Sequence, residues 1–385
     1  MSSLQIIDQK NPAVFAEEFQ KAIARHHSVL LINSTWQTSE RQQIRALLAK
    51  HKTPEIFTKK SYILIPTGGT SGQTKLAIHT LETLSTSVVG FQDFFKLGRV
   101  NVFCILPLYH VSGLMQLWRS NYSGGIFQLG NYHDLKRGIL PDLDGSDFCL
   151  SLVPTQLQVL LEVCPKWLVR FRLVLLGGAP PWRSLLDQAR KFQIQLALTY
   201  GMTETASQVV ALKPVDFLAG KNCAGQVLPH ARLSLSKTGV ISIATKSLFL
   251  GYYPHLNHPE ILETDDVGYF DQGNYLQLLG RNSQKIISGG ENIYPGEIES
   301  AILETNLVKD IAILGIPDHY WGEAVGAILA LKKGADLEML KKAIAHQLSS
   351  YKQPKHWFVV ENLPRNAQGK LNRTKLRQMI ENHYR

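Results

Sequence analysis

Hydrophobic positions follow two textures along this chain, and the change between them divides it. Through residue 280, short apolar runs bounded by turn residues alternate with stretches whose apolar positions recur every three or four residues. Tyr62–Pro66, Val100–Leu106, Asp147–Leu152, Leu173–Leu176 and Leu196–Tyr200 read as buried strands, while Thr155–Val163 and Trp182–Phe192 read as amphipathic helices. Strands alternating with helices predict a layered α/β domain whose sheets are mostly parallel and flanked by helices. Ala231–Ser236 and Val240–Thr245, joined by Lys237-Thr238-Gly239, read as a hairpin. From about Gln284 a smaller α+β pattern follows. It has strands at Asp310–Ile316 and Ala324–Leu331 and an amphipathic helix through Leu337, Leu340, Ile344 and Leu348, and it ends in the basic tail Lys370–Arg385. This predicts a large domain over 1–280, a short hinge at 281–285 and a small mobile domain over 286–385.

Composition adds limits. With 385 residues, 44% of them hydrophobic, the chain can bury a substantial core. Cys104, Cys149, Cys164 and Cys223 have neither metal-site nor disulfide-framework spacing, which suits a reducing compartment. The first residues show no basic-then-apolar leader, and no apolar run reaches the ~18 residues of a membrane span, so the expected setting is the cytoplasm. The net charge of +10 raises nucleic acid as a partner. The basic residues are scattered in pairs such as Lys332-Lys333 and Lys341-Lys342, without a nucleic-acid signature, so the expectation is no nucleic acid. The same excess charge draws small polyanions into a cleft.

The densest chemistry lies at Thr67-Gly68-Gly69-Thr70-Ser71-Gly72-Gln73-Thr74-Lys75, directly after a predicted strand. Glycines allow a sharp turn and bare N–H groups, and hydroxyls with one ammonium complete a cradle for a polyphosphate. The Walker pattern requires Gly-Lys-Ser/Thr running into a helix. Here Gln73-Thr74 separates Gly72 from Lys75, and the following Leu76-Ala77-Ile78-His79 is β-like, so a Walker fold is excluded. Taken alone, the loop also reads as a plain surface turn.

Six further segments settle the reading. They are Pro107-Leu108-Tyr109-His110-Val111-Ser112-Gly113, Leu175-Leu176-Gly177-Gly178-Ala179-Pro180, Tyr200-Gly201-Met202-Thr203-Glu204-Thr205, Thr264-Asp265-Asp266 with Gly280-Arg281, Ser288-Gly289-Gly290-Glu291-Asn292-Ile293-Tyr294-Pro295, and Leu363-Pro364-Arg365-Asn366-Ala367-Gln368-Gly369-Lys370. In this order, and over most of the chain, they resemble the adenylate-forming superfamily of acyl-CoA synthetases, luciferases and adenylation domains. Tyr200 to Gln208, with His110-Val111-Ser112-Gly113 and Trp118-Arg119, is most similar to the o-succinylbenzoate–CoA ligase subfamily of menaquinone and phylloquinone synthesis.

The resemblance implies ATP, Mg²⁺ and coenzyme A, with small-molecule substrates and room for a homodimer. It gives Thr67, Gly68, Gly69, Thr70, Ser71, Gly72 and Lys75 to the β- and γ-phosphates. Gly178, Ala179 and Tyr200 flank adenine, with Gly201, Met202 and Thr203 in the same nucleotide motif. Asp266 and Arg281 take the ribose, and Glu204 takes the metal. His110 and Lys370 are the catalytic pair of the resemblance, Lys370 bridging the attacking carboxylate and the α-phosphate. Ser112 and Arg119 are expected on one face of a helix opened by His110, with Arg119 holding a spectator carboxylate. Taken singly, Asp266 also reads as a turn residue, Glu204 as a helix-end charge, and Lys370 and Arg119 as solvated surface charges, while His79 reads as structural. A related aryl- or fatty acyl-CoA ligase and an enzyme loading a carrier protein stay open. Four departures stand out: Gln73-Thr74 in the loop, Asp265 where the resembled pattern has glycine, Gln284 at the usual hinge aspartate, and a glycine-rich loop so early that an abbreviated amino-terminal subdomain is expected.

Overall fold

The computed structural model describes residues 4–36, 38–50, 61–68, 74–365 and 371–383. The amino-terminal sheet runs Leu4–Ile7, Ser28–Leu31, Ile63–Gly68, Thr74–His79, the first three strands parallel and the last antiparallel. The central sheet has seven strands, in the order Gln226–Val227, Ser207–Ala211, Leu196–Met202, Leu173–Leu176, Phe148–Leu152, Asn101–Cys104, Phe127–Leu129. From Leu196–Met202 to Phe127–Leu129 its pairings are parallel, and the Ser207–Ala211 edge is antiparallel.

The apolar runs are continuous because these strands are covered on both faces. Val102, Cys104, Cys149 and Leu175 join one core with Val29, Leu31, Ile63 and Ile65 of the other sheet. The helices Leu81–Phe95 and Val111–Ser123 fill the space between, through Leu84, Val88, Phe91, Leu114 and Leu117. Phe103, Leu150, Val174 and Leu176 face the opposite way, onto the helices Pro154–Val163 and Arg183–Lys191. The layered α/β expectation holds for both of these sheets.

The predicted hairpin, Ala231–Leu235 with Val240–Thr245, instead belongs to a third sheet that is antiparallel throughout. Leu262–Phe270 and Leu276–Arg281 complete it. After Arg281 comes a 3₁₀ turn at Asn282–Gln284. Asp265 accepts the Ser283 N–H at 2.9 Å and the Ser283 hydroxyl. The remaining residues build a fourth sheet on Val308–Asp318 and Gly322–Leu331, longer than the periodicity predicts because each strand pairs with the other from end to end. It has its own core, with Ile298, Ile302, Leu340 and Ile344 on one side and Leu376 and Ile380 on the other.

One glycine fixes the register that matters most. A Cβ at Gly201 would lie 2.1 Å from the Ser207 carbonyl oxygen, so the antiparallel edge closes only on a bare backbone. Gly201→Ala should lower the unfolding free energy by about 1–3 kcal/mol. Denaturant melts would check it, and an unaltered midpoint would mean that the two strands part freely.

Candidate active site

The parallel strands Leu173–Leu176 and Leu196–Met202 end side by side, Leu176 opposite Leu198. Beyond the carboxyl ends of such strands the backbone diverges and leaves a crevice for a ligand. Gly177 follows Leu176 so closely that a Cβ there would meet Thr199 Oγ1 at 2.4 Å, and Gly178 takes a left-handed φ of 82°. Gly178 and Ala179 are exposed, and Tyr200 is buried on the neighbouring strand.

Tyr200 donates its hydroxyl to Asp266 Oδ2 at 2.9 Å, and Arg281 Nε lies 3.2 Å from Asp266 Oδ1. Asp266 and Arg281 are opposed residues of the third sheet, so their meeting is set by strand register. Burial, then the neighbouring Asp266 carboxylate, pushes the Tyr200 phenol far above its ordinary range. It stays a neutral donor. This trio is a ready receiver for ribose hydroxyls beside an aromatic face. Asp266 is thus no mere turn residue.

Across the crevice, Thr67 stands opposite Lys75 in the hairpin of Ile63–Gly68 with Thr74–His79. The Thr67 hydroxyl lies 3.5 Å from Glu204 Oε1, and Tyr252 donates to the same oxygen at 2.6 Å. The Lys75 ammonium sits 4.9 Å from the Tyr252 ring centroid. A half-buried carboxylate beside two hydroxyls suits a hard divalent ion that also takes phosphate oxygens. Among the described residues no cluster of three or more His, Cys, Asp or Glu could hold an ion by itself. Gly69, Thr70, Ser71, Gly72 and Lys370 lie outside the described residues; Gly68 ends its strand.

Tyr252 escaped the sequence reading. Its segment runs beside the hairpin, with Leu250 N–H bonded to Ile78 and Tyr253 N–H to Leu76. Only the pairing over that distance places the phenol near Glu204, and the local Gly-Tyr-Tyr-Pro carries no such signal. His79 is structural, as its sequence context implies, but it serves the site. Its ring bridges Thr83 Oγ1 at 3.0 Å and the Thr203 carbonyl at 2.8 Å, tying the hairpin to the Thr203–Glu204 turn.

His110 is the N-cap residue of Val111–Ser123, without a side-chain cap bond, and its ring lies 4.6 Å from that of Tyr109. Arg119, on this helix, is no surface charge. It is 3% exposed, Nη2 bonds Gln208 Oε1 at 2.6 Å and Ser207 Oγ at 3.1 Å, and the guanidinium stacks 4.5 Å above Phe91. Burial lowers its pKa to about 10, still charged at neutral pH. No carboxylate pairs with it among the described residues. Ser112 is exposed in the first helical turn, and no hydrogen bond joins it to Arg119 among the described residues. The two sit seven positions apart, but only the later turn is covered by Phe91 and the Ser207–Ala211 strand.

A family model for AMP-binding enzymes matches residues 3–253, and one for their C-terminal domain matches 297–370. The chain is 33% identical over 342 residues to the 2-succinylbenzoate–CoA ligase of Listeria monocytogenes serovar 1/2a, covering 85% of this chain and 73% of that protein. It is 31% identical over 387 residues to the enzyme of that name from Bacillus velezensis, covering 94% and 76%. Among solved structures it resembles the Bacillus subtilis o-succinylbenzoate CoA synthetase in complex with its acyl-adenylate intermediate. The TM-score is 0.83 at 26% identity, over 97% of this chain and 88% of that one. The same Bacillus subtilis enzyme with ATP and magnesium ion gives a TM-score of 0.80 at 26% identity, over 98% and 89%.

Two buried imidazoles give the site an acid limit. Burial lowers both His79 and His230 from 6.5 to about 4. Their depressed values mean that the unfolded chain takes up protons first as pH falls. The stability they confer is complete above about pH 6.5 and is lost toward pH 4, at most roughly 3 kcal/mol per ring. Denaturation curves across that window should show it, and His79→Gln should remove about one proton's worth of slope. An equal slope in the variant would clear His79.

Proposed function

The chain belongs to the family of AMP-binding enzymes, and from that membership we propose that it is an acid–thiol ligase activating o-succinylbenzoate. The reaction joins the acid to ATP as an acyl-adenylate with release of pyrophosphate. It then passes the acyl group to coenzyme A and releases AMP, a step of menaquinone or phylloquinone synthesis. The observation that carries the choice of acid is Arg119, a buried cation with no carboxylate paired to it among the described residues. A substrate with a spectator carboxylate supplies that counter-ion. A fatty acyl ligase has no use for a buried guanidinium in its acyl pocket, so that alternative is disfavoured.

A carboxylate becomes an acylating agent only when its oxygen turns into a leaving group. Two anions must therefore meet, and the protein's task is charge neutralisation and alignment. Thr67 and Lys75, with Gly68 through Gly72, hold the terminal phosphates. Glu204 would hold Mg²⁺, which when bound would supply positive charge to offset that of the phosphate oxygens. Gly178, Ala179 and Tyr200 flank the base, Gly201, Met202 and Thr203 line the same motif, and Asp266 with Arg281 receives the ribose. Ser112 and His110 border the acyl pocket at the helix start, and His110 shields the reacting carboxylate. Lys370 bridges that carboxylate and the α-phosphate with a fixed positive charge.

The unit beyond residue 285 then turns about 281–285, withdraws Lys370 and admits the thiol. The four free, buried cysteines fit a cytoplasmic enzyme. No helix among the described residues is long and apolar enough to cross a membrane. Pairing of two copies stays part of the proposal.

ATP–pyrophosphate exchange across a panel of acids tests the reading, with o-succinylbenzoate expected to outpace monocarboxylic aryl and fatty acids. Lys370→Ala should stop adenylate formation yet leave thioester formation from a supplied acyl-adenylate largely intact, and equal loss of both steps would refute that role. Arg119→Ala should raise KM for the acid about 10- to 150-fold, the worth of hydrogen bonds to a charged group, with little change in KM for ATP. Equal changes in the two constants would take Arg119 out of the acid pocket.

A further inference from the structure

Buried polar atoms without a hydrogen-bond partner gather around Arg119. Among the described residues they include Arg119 Nε, Gln208 Nε2 and both ring nitrogens of His230. Gln116 Oε1, one turn before Arg119, and Ser87 Oγ, one turn before Phe91, are two more. His230 feels the Arg119 charge, and its ring fits against the Leu81–Phe95 helix only because residue 90 is glycine. A Cβ there would lie 1.8 Å from His230 Nδ1. Arg119 Nε, Gln208 Nε2 and the Ser87 hydroxyl are donors, the neutral His230 ring offers one more, and Gln116 Oε1 is an acceptor; the donors outnumber it and describe a cradle for an anionic acceptor.

Gln208 is the telling member. It is 5% exposed, and its Oε1 takes a bond from Arg119 Nη2 at 2.6 Å and another from the Ser207 hydroxyl at 2.6 Å. A guanidinium only donates, so the amide must present oxygen to it. That choice turns the NH₂ group away, where it finds no acceptor. One carbonyl oxygen thus receives two donors, as an oxygen of a carboxylate would.

We propose that Gln208 is a specificity-determining residue. Its amide oxygen occupies the anion position on Arg119 until the substrate's second carboxylate arrives. It then turns, so that Nε2 donates to the incoming anion. This rests on the reading of the site as the pocket for o-succinylbenzoate. The exchange rewards a dianionic acid twice, since Arg119 trades a neutral acceptor for a charged one and the stranded NH₂ gains a partner. An acid without the second carboxylate leaves Gln208 in place on Arg119 and gains neither contact.

The test compares wild-type full chain, Gln208→Glu and Gln208→Met in ATP–pyrophosphate exchange. Each is assayed with o-succinylbenzoate and with benzoylpropionate, which lacks the ring carboxylate. Gln208→Glu plants a permanent carboxylate on Arg119, so KM for o-succinylbenzoate should rise at least about tenfold while KM for ATP stays within about threefold. Gln208→Met, similar in length and uncharged, should shrink the kcat/KM preference for o-succinylbenzoate over benzoylpropionate about tenfold. If wild type uses o-succinylbenzoate and both variants keep its KM and its preference within threefold, the role of Gln208 is refuted alone. If wild type fails to use o-succinylbenzoate, the substrate reading falls and this inference with it.

Discussion

Everything at this site turns on the left-handed corner that follows Glu204. Ala206 and Ser207 carry φ values of 52° and 95°, a region that side chains with a Cβ seldom enter. Two such residues in succession cost a few kcal/mol, about 1–3 each, and persist only where the surroundings over-determine them. Here they are held from every side. Thr205 Oγ1 donates to Ser207 O at 2.6 Å, Ser247 Oγ to Thr205 O at 3.0 Å, and Phe249 N–H to Glu204 O at 2.8 Å. The corner lets one short segment serve both halves of the crevice. Glu204 points to Thr67 and Tyr252, whereas Ser207 and Gln208 point to Arg119.

That arrangement answers an electrostatic demand. A carboxylate approaching a polyphosphate is repelled, and neither anion gives up water unless fixed donors replace it. On the reading proposed above, the exposed Lys75 and the buried Arg119 meet the demand differently. Lys75 remains close to solvent and can follow a mobile phosphate tail. Arg119 is locked between Phe91 and the Ser207–Ala211 strand, and its charge has already lost its hydration in the folded protein. An organic acid with one fixed shape benefits from the second kind of cation, since no reorganisation is left for the moment of binding.

How legible was this in the sequence? Elements buried on both faces were read well: Leu173–Leu176 appears with the bounds its apolar run predicts, because a covered strand needs an unbroken run. The placement of motif residues at a strand end was also legible, as with Tyr200 and the glycines after Leu176, which lie at one crevice. What escaped depends on pairing between distant segments. Tyr252 reaches Glu204 across 48 positions, and His79 reaches Thr203 across 124. The different burial of Ser112 and Arg119 was illegible for a related reason. Helical spacing fixes the direction of a side chain, while the neighbouring layer decides which turn is covered.

The two departures near the boundary between the units belong to one contact. Asp265 stands where the resembled pattern has glycine, and Gln284 where it has aspartate, yet a carboxylate still reaches this turn. It comes from the opposite strand, where Asp265 receives the N–H and hydroxyl of Ser283. Glycine could not have supplied it, so the first substitution makes good what the second removes. Rotation about 281–285, as proposed above, has to break both bonds. They lie in solvent, where water replaces a lost partner and the net cost of each is about 0.5–1.5 kcal/mol. A contact of that size biases the turn toward one orientation and still yields within each catalytic cycle. On the proposed rotation, Asp265 on the opposite strand is a breakable anchor for this turn.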